Sequence, residues 1–253
     1  MNDTLSERFE EQRPRLRGVA YRMLGSTGEA DDAVQEAWLR LNRADTRDVE
    51  NLDAWLTTVV ARVCLNILRS RQRRREDPIE VHVPDPVVSS EGPAQPDQEA
   101  VIADSVGLAM LVVLDTLPPD QRLAFVLHDM FAVPFDQIGP MIERSPTAAR
   151  QLASRARRRV RGQAPVPTRD RARQRAMVDA FFAAARHGDF DALVATLHPD
   201  VVLRSDGGTT RPGLTTMHRG AATVAGQAIT FGQLAPLARS AVVNGAAGVV
   251  VAD

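Results

Sequence analysis

Apolar residues recur at helical spacing through the first 75 positions. Leu16, Val19, Ala20 and Met23 form one stripe, and Ala33, Val34, Ala37 and Leu41 form another. Gly25 to Gly28 separates the two runs, and Asp53 offers a carboxylate to cap a third helix from Trp55 to Arg75. Along that third helix Leu56, Val59, Val60, Val63 and Ile67 share one side. Trp55, Thr58, Arg62, Asn66, Arg69 and Arg73 share the opposite side. The pattern predicts a helical bundle over residues 1–76 whose last helix buries one face and turns a cationic face outward.

Between Asp77 and Asp104 the pattern lapses. Pro78, Pro84, Pro86, Pro93 and Pro96 stand among acidic and small residues, so neither a stable helix nor a central strand is expected before about Ala100. Residues 77–104 read as an acidic linker that could span on the order of 90 Å fully extended. Helical spacing resumes over Val106–Leu117 and Arg122–Met130, then becomes a helix-turn-helix pattern from Phe135 to Val160, giving a second helical domain over 105–163. Pro140 removes a hydrogen bond inside the first helix of that pair. Glu143 occupies a turn position that favours glycine, at a cost of about 1 kcal/mol. Ser145 before Pro146 marks the start of the second helix.

A third region, 169–253, mixes both periods. Met177, Val178, Phe181, Phe182 and Ala185 make an amphipathic helix closed by Gly188, with a short helix to Leu197 and a strand at Val201–Arg204 after it. An Asp206-Gly207-Gly208 turn follows, and Asn244-Gly245 separates two further strands, Ala241–Val243 and Gly248–Val251. The fold class is therefore mainly α, two helical domains plus a C-terminal α+β domain.

A net charge of −1 conceals segregation: residues 54–75 sum to +6, 76–143 to −12 and 144–175 to +10. All the cations are Arg, whose planar fork suits phosphate and guanine. A single cysteine, Cys64, excludes an intrachain disulfide and argues against a thiolate metal cluster, and no metal or cofactor is expected. The longest apolar stretches, such as Leu108–Leu114, are far shorter than a membrane span, and the acidic N-terminus lacks a signal core, so a cytoplasmic location is expected.

Three surfaces carry candidate chemistry. On the second basic helix Ala149, Leu152, Ala153, Ala156 and Val160 point inward, and Thr147, Arg150, Gln151, Ser154, Arg155 and Arg158 outward. Its first turn can reach base edges in a major groove while Arg155, Arg158 and Arg159 meet phosphate. On the earlier helix Trp55 and Thr58 lie in line with arginines, an aromatic platform beside an electrostatic track that suits unpaired bases. The Ala30–Arg43 helix turns Asp32, Gln35, Glu36 and Leu39 to one side, a docking surface for a basic partner protein.

The stretches Ala20–Gly25, Asp32–Leu39 and Ala54–Arg62 closely resemble conserved region 2 of extracytoplasmic-function sigma factors, and Leu117–Arg122 and Ser145–Arg157 resemble region 4 of the same family. The resemblance implies that Asp32, Gln35, Glu36 and Leu39 bind RNA polymerase core. It also implies that Trp55, Thr58, Arg62, Asn66, Arg69 and Arg73 hold the melted minus-10 element, and that Thr147, Arg150, Gln151, Ser154, Arg155 and Arg158 read the minus-35 element. Asn66 stands where members of the family often have aspartate. The tail after residue 168 is similar to the SnoaL-like domain of one subgroup, which implies regulation in cis together with a linker motif and a glycine-rich turn. Pro84, Asp85 and Pro86 resemble that motif, and Asp206, Gly207 and Gly208 resemble that turn. The chain stops at Asp253 directly after a strand, so a partial SnoaL-like domain with an unpaired edge is expected. Such a domain could also take a small-molecule or protein ligand.

Two other readings remain open at this point. An autonomous helix-turn-helix repressor or activator would bind duplex DNA tightly without polymerase, usually as a dimer. A tail with enzymatic activity would need a base in a pocket, for which Asp206, His187, His198 and His218 are the candidates.

Overall fold

The computed structural model describes residues 2–44, 51–74, 83–89, 107–163, 170–207 and 215–251. The chain divides into two compact units: one combines residues 1–78 with 96–165, the other residues 79–95 with 166–253.

In the first unit, α1 (Asn2–Leu24), α2 (Thr27–Arg43) and α3 (Leu52–Arg74) form a bundle. Gly25 ends α1 with a positive φ, and the Ser26 hydroxyl then caps α2 by accepting from the Glu29 N–H. The two predicted stripes meet inside: Leu16, Val19, Ala20 and Met23 pack against Ala33, Val34, Ala37 and Leu41, all of them buried. Each large side chain so enclosed contributes roughly 1.5–3 kcal/mol. The cap of α3 differs from expectation. Asn51 takes that role, its Oδ1 accepting from the Ala54 N–H at 3.0 Å, while Asp53 lies within the first turn. The helix begins at Leu52, three residues before the expected start at Trp55, because Leu52 is also buried and extends the apolar side.

The same unit contains α4 (Leu108–Asp115), α5 (Pro119–Phe125), α6 (Phe135–Met141) and α7 (Pro146–Gln163). After α5 the chain widens into a π turn over Val126–Met130. The Arg122 side chain is sealed in here: its Nε donates to the Arg22 carbonyl at 3.1 Å, and its guanidinium meets Asp115 at 3.0 Å. Burial lowers its pKa despite that carboxylate. The helix-turn-helix closes tightly between α6 and α7. A Cβ on Gly139 would lie 2.7 Å from the Arg144 carbonyl oxygen, so only glycine fits there. Glu143 does adopt a left-handed φ of 58°, as its place in the turn requires.

The second unit has a three-stranded antiparallel sheet of order β1 (Val88–Ser89), β4 (Ala238–Val243), β5 (Ala246–Val251), and an antiparallel pair β2 (Val202–Ser205) and β3 (Thr216–Arg219). Asn244 and Gly245, both with positive φ, make the β4–β5 turn that their sequence signals. Three helices accompany the strands: α8 (Arg171–His187), α9 (Phe190–Thr196) and α10 (Ala221–Thr230). Asp170 and Asp189 cap α8 and α9 through their carboxylates. Arg175 ties α8 to the hairpin by donating to the Gly248 and Ala241 carbonyls, each at 2.8 Å. Strand β3 and helix α10 went unread in the sequence. So did β1, which lies in the stretch expected to carry no central strand; its two residues form a sheet edge, where the nearby prolines need not donate to a ladder.

Candidate nucleic-acid interface

Helix α7 is built to expose one face. The Ser145 hydroxyl accepts from the Ala148 N–H at 3.2 Å and fixes its start, and Ala149, Ala153, Ala156 and Val160 are buried below. Thr147, Arg150, Gln151, Ser154, Arg155 and Arg158 are all exposed. Their spacing puts them on one side over about three turns, wide enough to enter a major groove. Arg157, which flanks them, is instead paired with Asp129 at 2.5 Å. The Arg150 guanidinium lies 5.4 Å from the centroid of the Phe135 ring on α6.

The six positions on α3 do not all face outward alike. Arg62, Asn66 and Arg73 are exposed, and Trp55, Thr58 and Arg69 half-buried. Arg62 donates to the Pro140 carbonyl at 3.3 Å, and Arg69 donates to Asp120 at 3.0 Å. Two cations of this face are therefore engaged by α5 and α6. Helical periodicity could not foresee partners that lie 78 and 51 residues away. Thr58 returns its hydroxyl proton to the Ala54 carbonyl, an arrangement internal to α3.

On α2, Asp32, Gln35 and Leu39 are exposed and Glu36 is half-buried, with Leu39 at 40%. Glu36 pairs with Arg40 at 2.8 Å one turn on. Behind this patch, Trp38 packs its ring 4.9 Å from Phe9, which anchors α2 to α1. The result is an exposed leucine in an acidic rim on a rigid helix.

In the second unit the two expected regulatory segments come together. The Val83 N–H donates to the Asp206 carboxylate at 3.4 Å, so the residues leading into Pro84, Asp85 and Pro86 meet the segment that holds Asp206 and Gly207. Gly208 lies outside the described residues. A second tie was not foreseen: Val87 donates to Asn244 Oδ1 at 3.0 Å and accepts from the Asn244 N–H at 2.9 Å. Asn244 is 2% exposed, so this reciprocal pair is shielded from water. The sequence marks Asn244 as a turn residue, and nothing local marks it as a clamp on the connector.

A cavity of about 190 Å³ opens in this unit, lined by Phe181, Phe182, Leu203, Val224, Gln227 and Phe231 among others. None of Asp206, His187, His198 and His218 lines it. His187 faces the Ala183 carbonyl, and His198 accepts from the Asp200 N–H in the turn after α9.

The chain matches the Sigma-70 region 2 family over residues 8–74 and the Sigma-70 region 4 family over residues 108–160. The ECF RNA polymerase sigma factor SigJ of Mycobacterium tuberculosis is 45% identical over 199 residues, covering 78% of this chain and 64% of SigJ. The probable ECF RNA polymerase sigma factor SigI of the same species is 37% identical over 203 residues, covering 79% of this chain and 69% of SigI. The crystal structure of M. tuberculosis SigJ superposes with a TM-score of 0.77 at 36% identity, over 96% of this chain and 83% of that one. The match thus spans about two thirds of the length of these relatives. No helix among the described residues is long and apolar enough to cross a membrane.

Proposed function

Because the chain belongs to the extracytoplasmic-function family of RNA polymerase sigma factors, we propose that it joins polymerase core in the cytoplasm and directs it to promoters without catalysing a reaction itself. The observation that carries this reading is the α7 face, where six polar and cationic side chains stand exposed over a wholly buried alanine stripe. In it, Thr147, Arg150 and Gln151 read base edges of the minus-35 element, and Arg155 and Arg158 hold phosphates on either side. Trp55, Thr58, Arg62, Asn66, Arg69 and Arg73 hold the melted minus-10 strand, with the indole as a stacking surface. Before it can do so, α3 must exchange Asp120 and the Pro140 carbonyl for DNA phosphates.

Asp32, Gln35, Glu36 and Leu39 form the polymerase-docking surface, in which an exposed leucine supplies the apolar contact and the carboxylates select a basic partner. The C-terminal unit, read as SnoaL-like, regulates in cis by holding residues 83–89 of the connector. The Asp206 and Asn244 contacts support this.

Reconstitution with purified core tests the proposal. The full chain is expected to start transcripts at discrete promoters. Leu39→Asp is expected to abolish co-elution with core while leaving the thermal melt of the free protein unchanged. Tight binding to duplex promoter DNA without core, with no transcript in its presence, would favour an autonomous repressor and overturn the reading.

A further inference from the structure

Helix α6 places an aromatic side chain, Phe135, beside the exposed face of α7. Phe135, its first residue, is half-buried and lies against the His128 ring, with centroids 3.8 Å apart and planes inclined by 27°. His128 belongs to the π turn after α5, and its Nδ1 is 3.0 Å from the Val133 carbonyl oxygen, which fixes the imidazole in place. The same Phe135 ring carries the exposed Arg150 guanidinium at 5.4 Å from its centroid. A chain of contacts thus runs from a backbone carbonyl through imidazole and phenyl to an arginine near the start of α7.

An unsupported arginine on a helix surface samples many rotamers and must give up that freedom when it binds a base edge. A ring held beneath the guanidinium restricts it by attraction to the π face, and leaves the edge of the planar fork free to donate. The turn that joins α6 to α7 is itself tight, because Gly139 lets the backbone lie close against the Arg144 carbonyl and Pro146 N. The ring and the guanidinium are therefore held in register by rigid elements on both sides.

We propose that Phe135, locked by His128, is a positioning residue that presents the Arg150 guanidinium for base recognition in the minus-35 element. This rests on the reading of Arg150 as a base-contacting residue. Phe135 touches no base; it acts through Arg150, so its removal alters discrimination between bases more than overall affinity.

Holoenzyme made with the full chain is assayed on a promoter and on its complete set of single-base minus-35 variants, by competition. Phe135→Leu and Phe135→Met, the latter filling similar volume without a ring, are each expected to lower discrimination roughly two- to fivefold at the positions that Arg150→Ala relaxes, and nowhere else. Phe135→Tyr, which retains a ring, is expected to keep wild-type preferences. In an Arg150→Ala background neither non-aromatic change should have a further effect. Even loss of affinity across all variants, matched by Phe135→Tyr, would mean a merely structural role and overturn the proposal. If Arg150→Ala relaxes particular bases while Phe135→Leu and Phe135→Met leave them unchanged, the positioning claim fails and the reading of Arg150 stands. If Arg150→Ala changes no base preference, the reading of Arg150 fails, and this inference with it.

Discussion

Cys64 has no exposed surface, and burial pushes its thiol from an ordinary 9.0 up to about 12. In the unfolded chain the thiol ionises near the ordinary value, so between these two limits the unfolded state has lost a proton that the folded state keeps. Stability therefore falls as pH rises through that window and is untouched below it. Melting of the wild-type protein is expected to drop more steeply between about pH 9 and 11 than that of Cys64→Ala, by at most about 1.4 kcal/mol per pH unit. Parallel pH profiles would contradict the burial. Arg22, held by burial at about 10, titrates in the same range but is common to both proteins and cancels in the comparison. Individual residues differ sharply in how far the sequence revealed them. The outward set on α7 was legible because a 3.6-residue period assigns its faces without any knowledge of partners. Arg122 was visible only as a letter in a motif, since the Arg22 carbonyl to which its Nε donates lies 100 residues away.

Among the elements, the helices with buried stripes and polar caps were legible, whereas those shaped by distant packing were not. Nothing in the run from Val126 to Met130 announces a π turn. It arises where Val133 bonds back to the Leu127 carbonyl and Ala132 takes a positive φ. Helix α10 is not legible from the sequence because Ala221–Thr230 contains Gly226, β-branched residues and no charges, and it forms by burying Val224 and Ala225. The helix-turn-helix offers the sharpest test at this scale. Glu143 carries the strained φ that the pattern marks, yet the tighter constraint lies at Gly139. In an ordinary helix, glycine to alanine gains about 1 kcal/mol. Here the new methyl group would strike the Arg144 carbonyl, with Pro146 N only 3.1 Å from it. Gly139→Ala is therefore expected to lower stability by on the order of 2 kcal/mol and to weaken minus-35 binding with it. A raised melting temperature would show that α6 and α7 do not approach so closely.

Sigma-70 regions 2 and 4 follow one another in the order that the sequence motifs give them, but the partnerships that the chain makes across that order were not legible. Residues 83–89 interrupt the path between the two helical regions and yet belong to the C-terminal unit, through β1 and the Asn244 pair. Within the helical unit, Asp120 on α5 holds Arg69, so part of the face assigned to unpaired DNA is occupied by the protein's own carboxylate. Side chains of that pair remain 37% and 27% exposed, which places the contact among partly solvated ion pairs worth about 0.2–1 kcal/mol. A contact of this strength can yield to phosphates and still bias the free protein against them. Asp120→Ala is expected to raise the affinity of the free chain for a single-stranded minus-10 oligonucleotide by roughly two- to fivefold at low salt. Asp136→Ala removes the same charge from an exposed position on α6, and serves to subtract the general electrostatic effect. The advantage of Asp120→Ala over Asp136→Ala should shrink as salt is raised, since screening weakens the competing ion pair and the phosphate contacts together. If the two variants bind alike at every salt concentration, Asp120 does not compete with DNA for Arg69.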